Sequence, residues 1–387
     1  MCIVGCGNIA ETHGWALTQM KNIELVGFAD IILQRAKDFS RKYTDGRAGA
    51  FSDLNEMLEV CSPNVLHICT PHYFHVPMAI EALSRNISVF SEKPPAINMQ
   101  QFKELESILD EKKRKFEKQT DENNQSDASE INSKNADNIH IFPVLGFCFQ
   151  NRYNKTIEKA DEILQSGSLG KITGARAFVT WRRDEDYYKT DWKGKLETEG
   201  GGALINQAVH TLDLLLRYLG KPDNVQATVS NHHLKEVIEV EDTVEARMTF
   251  PGGARACFYA STGYAADAPV ILELQCEKGS ITILDQVVTV KWIFWDKPAA
   301  SEINLYPDNA AKLDVSGGIL ISADEHKVVK SYPVEEPKGM GRDYWGSGHL
   351  ACISDFYSKM ESGERFRNDL EGVRNTMETM MRIYSFR

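Results

Sequence analysis

The sequence predicts an α/β protein of two domains, with a doubly wound parallel sheet in residues 1–150 and an α/β domain on a mainly antiparallel sheet in residues 151–387. Three observations carry this. The chain has 387 residues, against about 100 to 200 for a typical domain. Its first 95 residues alternate short β-branched runs with amphipathic stretches, and strands so interleaved can be joined only by crossovers to parallel neighbours. From Lys171 the pattern changes to long alternating runs, KITGARAFVTW, DNVQATVSNHH and DTVEARMTF. The last is joined through Pro251-Gly252-Gly253 to ARACFYAST, a hairpin signature.

In order, CIVG reads as a strand, Ile9 to Met20 as a helix, ELVGFAD as a strand and Leu33 to Tyr43 as a helix. VLHICT is followed by a helical VPMAIEALSRN, and ISVF by SEKPPA and a helix from Met99 to about Lys115. Residues 112–138 have almost nothing apolar and cannot repay the entropy of ordering, so they are expected to be a solvated insertion. IFPVLGFCF resumes the sheet, a helix begins after Asn154, and helices from about Gly348 to Met360 and Asp369 to Tyr384 close the chain.

Composition narrows the function classes. Lys and Arg number 44 against 55 Asp and Glu, and the formal charge of -11 opposes attraction to nucleic acid or an anionic membrane. No run approaches the roughly 20 apolar residues of a spanning helix. The expected partner is therefore a small molecule or another protein. The eight cysteines lack C-x-x-C spacing and read as reduced core residues, with no metal site expected. MCIVGCGNIAE shows no basic leader, so a cytoplasmic location is expected. Only four residues precede Gly5, which reads as a misplaced start or a truncated gene.

Gly5-Cys6-Gly7-Asn8-Ile9-Ala10 follows an apolar run and opens a helix, matching G-x-G-x-x-G/A in its informative context. Gly5 allows the tight turn, Gly7 lets backbone approach a pyrophosphate, and Ala10 permits close helix packing. The helix start offers N–H groups and a positive dipole end to phosphate. A second strand ends at Asp30, where a carboxylate accepts from ribose hydroxyls and repels a 2'-phosphate. NAD is thus expected over NADP, with Arg35 nearby as the opposing feature.

Thr70-Pro71-His72-Tyr73-Phe74-His75 and Ser91-Glu92-Lys93-Pro94-Pro95 also follow strands, and in an open parallel sheet such loops lie on the ligand side. His75 is either a packed loop histidine or a residue near the cofactor. Lys93, held before two prolines, is a functional lysine or the surface partner of Glu92. In Gly200-Gly201-Gly202-Ala203 and the helix that follows, Asn206, His210, Asp213 and Arg217 recur on one face. This is the wet stripe of an amphipathic helix or, with three glycines leaving room for a ligand, a base oriented by a carboxylate.

In order and spacing, GCGNIA, HICTPHYFH, SEKPPA, FQNRY (Phe149 to Tyr153) and GGGALINQAVHTLD resemble the glucose-fructose oxidoreductase and inositol dehydrogenase family, Gfo/Idh/MocA. The likeness covers nearly the whole chain apart from 112–138. It implies an N-terminal Rossmann domain, with Gly5, Gly7, Asn8, Ile9, Ala10, Asp30, Thr70, His75 and Glu92 as the cofactor-binding candidates. It also implies a C-terminal domain for substrate and oligomerisation, whose open sheet mediates contacts in a homo-oligomer, dimer or tetramer. Lys93, from the family's Glu-Lys-Pro motif, and His210 would act at the substrate carbon.

One departure is Asn206, where many polyol dehydrogenases of the family have Asp. The Asn form resembles the nucleotide-sugar dehydrogenase branch, to which WRRDEDYYKTDWKGK (Trp181 to Lys195) is also similar. Its aromatic and basic residues suit sugar faces and anionic groups, or an ordinary sheet surface. Arg152, Tyr153 and Trp192 join Lys93, Asn206 and His210 as candidate substrate contacts. The expected activity is hydride transfer between a secondary hydroxyl of a sugar or nucleotide sugar and NAD. The alternatives are a myo-inositol or other polyol dehydrogenase, a keto-sugar reductase, or a non-catalytic dinucleotide-responsive binding protein, which would not need Lys93 and His210.

Overall fold

The apolar runs of the N-terminal part form six strands: β1 (Cys2–Val4), β2 (Gly27–Ala29), β3 (Gly49–Phe51), β4 (Val65–Ile68), β5 (Ser88–Ser91) and β6 (Leu145–Phe147). All pair in parallel, in the order β3-β2-β1-β4-β5-β6. Five of the six are buried along their whole length, which is why they read as continuous apolar runs rather than alternating ones. Between them run α1 (Asn8–Thr18), α2 (Leu33–Thr44), α3 (Leu54–Cys61), α4 (His75–Ser84) and α5 (Met99–Gln125). This computed structural model describes residues 1–125, 142–293, 319–324, 327–335 and 348–387, with backbone alone for 119–125 and 319–324.

Among the elements of this N-terminal part, one strand, one helix and one boundary differ from the sequence reading. The pair β3 and α3 was not foreseen: β3 is a three-residue, half-buried edge strand, Gly-Ala-Phe, without a β-branched residue. The start of α3 did carry a signal, since Asp53 caps it by accepting from the Glu56 N–H at 2.9 Å. The expected insertion at 112–138 begins too early, because α5 continues to Gln125. Lys112 Nζ donates to the Ser84 carbonyl at 2.6 Å and to Asn86 Oδ1 at 2.8 Å, closing the end of α4. Lys115 pairs with Glu111, and the Phe116 ring meets Phe142 at 6.1 Å. Residues 126–138 lie outside the described residues.

The chain divides into Met1–Cys148 with Ser354–Gly372, and Phe149–Ile353 with Val373–Arg387. A single boundary at residue 150 therefore misses a return. The returning segment takes the end of α8 (His349–Ser362) and the start of α9 (Leu370–Tyr384). Phe356 and Phe366 meet Phe90 at 5.1 and 6.3 Å, and a Cβ on Gly146 would lie 2.7 Å from the Phe356 ring. The Phe147 N–H donates to the Asn368 carbonyl at 2.9 Å. Three phenylalanines thus close one end of the first core.

The second unit is built on a nine-stranded sheet: β7 (Ile172–Thr180), β8 (Asn224–Ser230), β9 (Thr243–Thr249), β10 (Arg255–Ser261), β11 (Ile271–Cys276), β12 (Gly279–Leu284), β13 (Val287–Ile293), β14 (Ile319–Asp324) and β15 (Lys327–Pro333). The order is β14-β15-β13-β12-β11-β7-β10-β9-β8, antiparallel except for the parallel pair β7 and β10. In β9, Val244, Ala246 and Met248 are buried while Glu245 and Arg247 face water, the alternation of a half-buried sheet. On the inner face α6 (Lys155–Gln165) packs against β12 and β13, and α7 (Val209–Leu219) against β7. The eight thiols are unbridged. Cys257, on the outward face of β10, is exposed and departs from the expected core placement.

Replacing 126–138 by a short Gly/Ser linker should leave the thermal midpoint within about 2 °C, whereas replacing 112–138 should lower it by about 4 °C or more through loss of the Lys112 and Phe116 contacts. Equal losses in scanning calorimetry would contradict the helical assignment of residues 112–125.

Candidate active site

In the first unit the candidate cofactor residues gather at the carboxyl ends of the strands. Gly5 has φ +85, and a Cβ there would lie 2.7 Å from the Cys69 carbonyl carbon and oxygen and 2.8 Å from the Thr70 nitrogen. Only glycine fits. Among the described residues, a Cβ on Gly7 would by contrast meet nothing within 4 Å, and no side chain caps α1. Open space thus faces a helix N-terminus at Asn8, Ile9 and Ala10, an arrangement that fits a pyrophosphate.

Asp30 is buried and already engaged. Its Oδ2 accepts from the Cys6 N–H and its Oδ1 from the Ile32 N–H, both at 2.8 Å. Each oxygen keeps a second lone pair for a ribose hydroxyl. Arg35 Nη1 stands 4.0 Å away on a half-exposed side chain. Ile31, directly after Asp30, is 87% exposed. The sequence reading passed over it, although an apolar residue in a loop beside a carboxylate was visible there.

His75 is fully buried, with Nδ1 3.0 Å from the Pro94 carbonyl and Nε2 2.9 Å from the Thr70 carbonyl. Burial pushes its pKa below the ordinary value, while the two carbonyls oppose this. It ties the Thr70 loop to the Lys93-Pro94 turn. Thr70 is partly buried beside Met78. Glu92 is 6% exposed. Its Oε1 lies 3.0 Å from His13 Nε2, and its Oε2 accepts from the Lys93 N–H at 3.3 Å. Lys93 itself is half-buried.

His13 in turn meets His67, and His67 meets Tyr357, at 2.9 and 2.8 Å. Sequence reasoning missed all three. The available signal was a histidine in the middle of VLHICT, a run otherwise apolar and in a central strand. One grouping among the described residues has ligand atoms placed as for a metal ion, His13, Glu92 and Cys148, within 4.8 Å of one another.

In the second unit the expected helix start departs from a regular one. Ala203–Ala208 form a wide π turn ahead of α7. Gly201 and Gly202 do not leave room for a ligand as expected. A Cβ on Gly202 would lie 2.0 Å from the Glu241 carbonyl, and one on Gly201 would lie 2.0 Å from the Tyr384 hydroxyl. Glu241 Oε1 accepts from the Leu204 N–H at 3.1 Å and from the Tyr384 hydroxyl at 2.9 Å, and Tyr384 Oη accepts from the Ile205 N–H at 3.1 Å. The helix start is thus taken by the chain's own acid and phenol.

The polar stripe is wet only at its far end, where Arg217 is exposed. Asp213, 1% exposed, accepts two bonds from Arg152, Nε to Oδ2 at 2.7 Å and Nη2 to Oδ1 at 2.5 Å, and a third from Thr376 Oγ1 at 2.7 Å. The carboxylate expected to orient His210 is instead the partner of Arg152, and Arg152, expected on substrate, is drawn into a buried ion pair. Arg217 pairs with Asp161. His210 is half-buried, its ring edge-on to Phe149 at 5.7 Å, and Tyr153, four residues after Phe149, is buried.

Asn206 Nδ2 donates to Glu199 Oε1 and faces the Tyr187 hydroxyl at 3.4 Å, which also accepts from Gln207 Nε2 at 3.0 Å. Glu199 is fully buried. Desolvation pushes its pKa up to about 7, against the Gly194 N–H and Asn206 bonds and the Lys193 charge. Over Tyr187 stand Lys193 Nζ at 3.5 Å and the Arg183 guanidinium at 5.2 Å, with half-buried Trp192 5.8 Å from Lys193. Arg183, Tyr187, Trp192 and Lys193 therefore form one cluster, which reaches Asn206 through the Tyr187 hydroxyl.

Comparison with known proteins identifies both parts. Residues 1–119 match the model of an oxidoreductase family with an NAD-binding Rossmann fold, and residues 157–282 match the GFO/IDH/MocA C-terminal domain. The chain is 29% identical over 225 residues to D-glucoside 3-dehydrogenase of Escherichia coli, covering 57% of this chain and 54% of that protein. It is 24% identical over 238 residues to glucose-6-phosphate 3-dehydrogenase of Bacillus subtilis, covering 59% and 55%. The matched region thus spans little more than half the length of these curated relatives. In fold it is similar to the WlbA dehydrogenase of Bordetella pertussis, solved with NADH and UDP-GlcNAcA, at TM-score 0.71 and 22% identity over 100% of this chain and 95% of that one.

Glu199 gives the second unit a testable pH signature. Its native pKa of about 7 stands above the ordinary 4.5, so between these values the native state binds more protons than the unfolded one. Its contribution to stability should therefore fall as pH rises from about 4.5 to about 7 and level off above. The stability of the wild type minus that of Glu199→Gln, from urea unfolding, should follow that course. A difference that rises or stays flat across this window would contradict the burial of an ionisable group there.

Proposed function

The chain belongs to the Gfo/Idh/MocA oxidoreductase family, and from that premise we propose an enzyme that moves hydride between a secondary hydroxyl of a sugar or nucleotide sugar and NAD. The observation that carries the reading is the first strand end: open space over Gly7, a helix start with no side-chain cap, and Asp30 bonded into the same loop. The group that fits there is a dinucleotide, with pyrophosphate at Gly7 to Ala10, adenosine ribose at Asp30 and the exposed Ile31 beside the base. Bound NAD supplies the hydride acceptor.

The chain's own residues supply the rest. His210 takes the proton of the reacting hydroxyl, and the Lys93 ammonium stabilises the negative charge developing on that oxygen. Asn206 does not titrate, so it orients substrate, with its amide held by Glu199. Trp192, Tyr187 and Lys193 suit the apolar face and anionic substituents of a sugar derivative. Two relatives are named as 3-dehydrogenases of a glucoside and of glucose 6-phosphate, which supports a ring hydroxyl at position 3 as the one oxidised. A homo-oligomer through the outward face of the second sheet, where Phe178 and Tyr259 stand 6.3 Å apart, and a cytoplasmic location complete the reading.

Asp30 should make NADH bind more tightly than NADPH, because its carboxylate is buried and would face the 2'-phosphate. Fluorescence titration of both cofactors checks this, and tighter NADPH binding would mean that Arg35 dominates.

His210→Ala and Lys93→Ala should each keep NADH binding and lose turnover, by roughly 100 to 10,000-fold for His210. A panel of nucleotide sugars, free sugars and polyols followed at 340 nm finds the substrate, and single-turnover kinetics on it measures the loss. Near-normal turnover in His210→Ala would remove that residue from the mechanism.

A further inference from the structure

Four buried side chains from four different elements join end to end in the first unit. Glu92, after β5, meets His13 of α1 at 3.0 Å; His13 Nδ1 meets His67 Nδ1 of β4 at 2.9 Å; His67 Nε2 meets the Tyr357 hydroxyl of α8 at 2.8 Å. Both histidines are 0% exposed, and Glu92 and Tyr357 are 6% and 3% exposed. Phe90 lies against both imidazoles, at 5.8 and 5.2 Å, and Tyr357 stacks on His67 at an interplanar angle of 16°.

The donors in this chain can be ordered from its acidic end. A carboxylate only accepts, so His13 Nε2 carries a proton, and where that is the ring's one proton its Nδ1 accepts. His67 therefore donates from Nδ1 and accepts at Nε2, and the Tyr357 hydroxyl donates to it. Burial keeps the terminal members in that form, pushing the His67 pKa well below and the Tyr357 pKa well above their ordinary values. The order sets His67 in the tautomer with the proton on Nδ1, and no link is left with two donors or two acceptors.

We propose that His13, His67 and Tyr357 are positioning residues that hold the Glu92 carboxylate, and through its bond to the Lys93 N–H the turn that carries Lys93, in one arrangement. Glu92 can hold that turn only if its carboxylate does not swing, and the chain runs from it through α1 and β4 to α8. In a dry surrounding each bond strengthens its neighbours, and a break at any link leaves a buried polar atom unsatisfied. The catalytic meaning of the device rests on the role proposed above for Lys93; its existence does not.

The test is made on the full chain labelled with ¹⁵N-histidine, at pH 7, with no cofactor or sugar added. Two-bond ¹⁵N–¹H correlations should show one ring protonated on Nε2 alone and lost in His13→Gln, and one protonated on Nδ1 alone and lost in His67→Gln. Tyr357→Phe, which removes one hydroxyl from a packed ring, should leave His67 protonated on Nδ1 with its Nε2 unsatisfied and speed hydrogen exchange of the Lys93 amide by about fivefold, the worth of one hydrogen bond. With a sugar that is turned over, the same variant should lose about fivefold in kcat at unchanged sugar KM.

His67 protonated on Nε2 or on both nitrogens in the wild type would overturn the chain. So would a His13 ring with bare Nε2, as metal held by His13, Glu92 and Cys148 would give. Unchanged Lys93 exchange in Tyr357→Phe would overturn the positioning role. If no sugar were turned over at all, the functional reading would fail, while ring protonation and amide exchange would still decide this one.

Discussion

The close approach of the Gly5 backbone to that of Cys69 and Thr70 is the constraint on which the first unit depends. The strand order reverses between β1 and β4, and there the Gly5 N–H donates to the Ala29 carbonyl and the Cys69 N–H to the Val4 carbonyl, both at 2.8 Å. Asp30 adds a side-chain bond to the Cys6 N–H. Three strand ends are thereby joined through one loop. A side chain at Gly5 would force them apart, and the crevice outside such a reversal is where an open parallel sheet binds its ligand. Asp30 consequently fixes this loop from one side and the turn to Ile32 from the other.

The second unit is organised by buried acids rather than by a glycine turn. Asp242, fully buried, accepts from the N–H groups of His232, His233 and Leu234 and from Thr243 Oγ1. Glu241 organises the start of the Ala203–Ala208 turn, Asp213 is paired with Arg152, and Glu199 holds Asn206. An unpaired carboxylate in such surroundings costs several kcal/mol, so each acid dictates where its donors go. Asn206 and His210 stand on a frame built by these acids. The π turn follows from the same cause, since the first N–H groups of the helix are directed to Glu241 and Tyr384.

Much of this was legible in the sequence because local signals agreed. β1, the glycines, α1 and Asp30 appear in the expected order, since continuous burial and a strand-to-helix turn each leave a local mark. The runs of β7 to β10 announced themselves by alternation, whereas β11 to β15 were not singled out. What stayed illegible depends on distant partners. Arg152 and Asp213 are separated by 61 residues and His67 and Tyr357 by 290, and no local pattern connects them. The Gly200–Gly202 run was read as space for a ligand because the sequence cannot show that Glu241 and Tyr384 fill it. The return of Ser354–Gly372 to the first core was hidden for the same reason: its phenylalanines look like any amphipathic helix until Phe90 and Gly146 stand beside them.

The central claim is direct transfer of hydride from a ring carbon of a sugar to NAD, and an isotope tests it most directly. A glucoside or nucleotide sugar carrying deuterium on the carbon at position 3, incubated with this protein and NAD, should yield the 3-keto sugar and NADH with deuterium at C4 of the nicotinamide, read by mass spectrometry and proton NMR. Deuterium released to solvent, or a keto sugar formed with unlabelled NADH, would contradict the account.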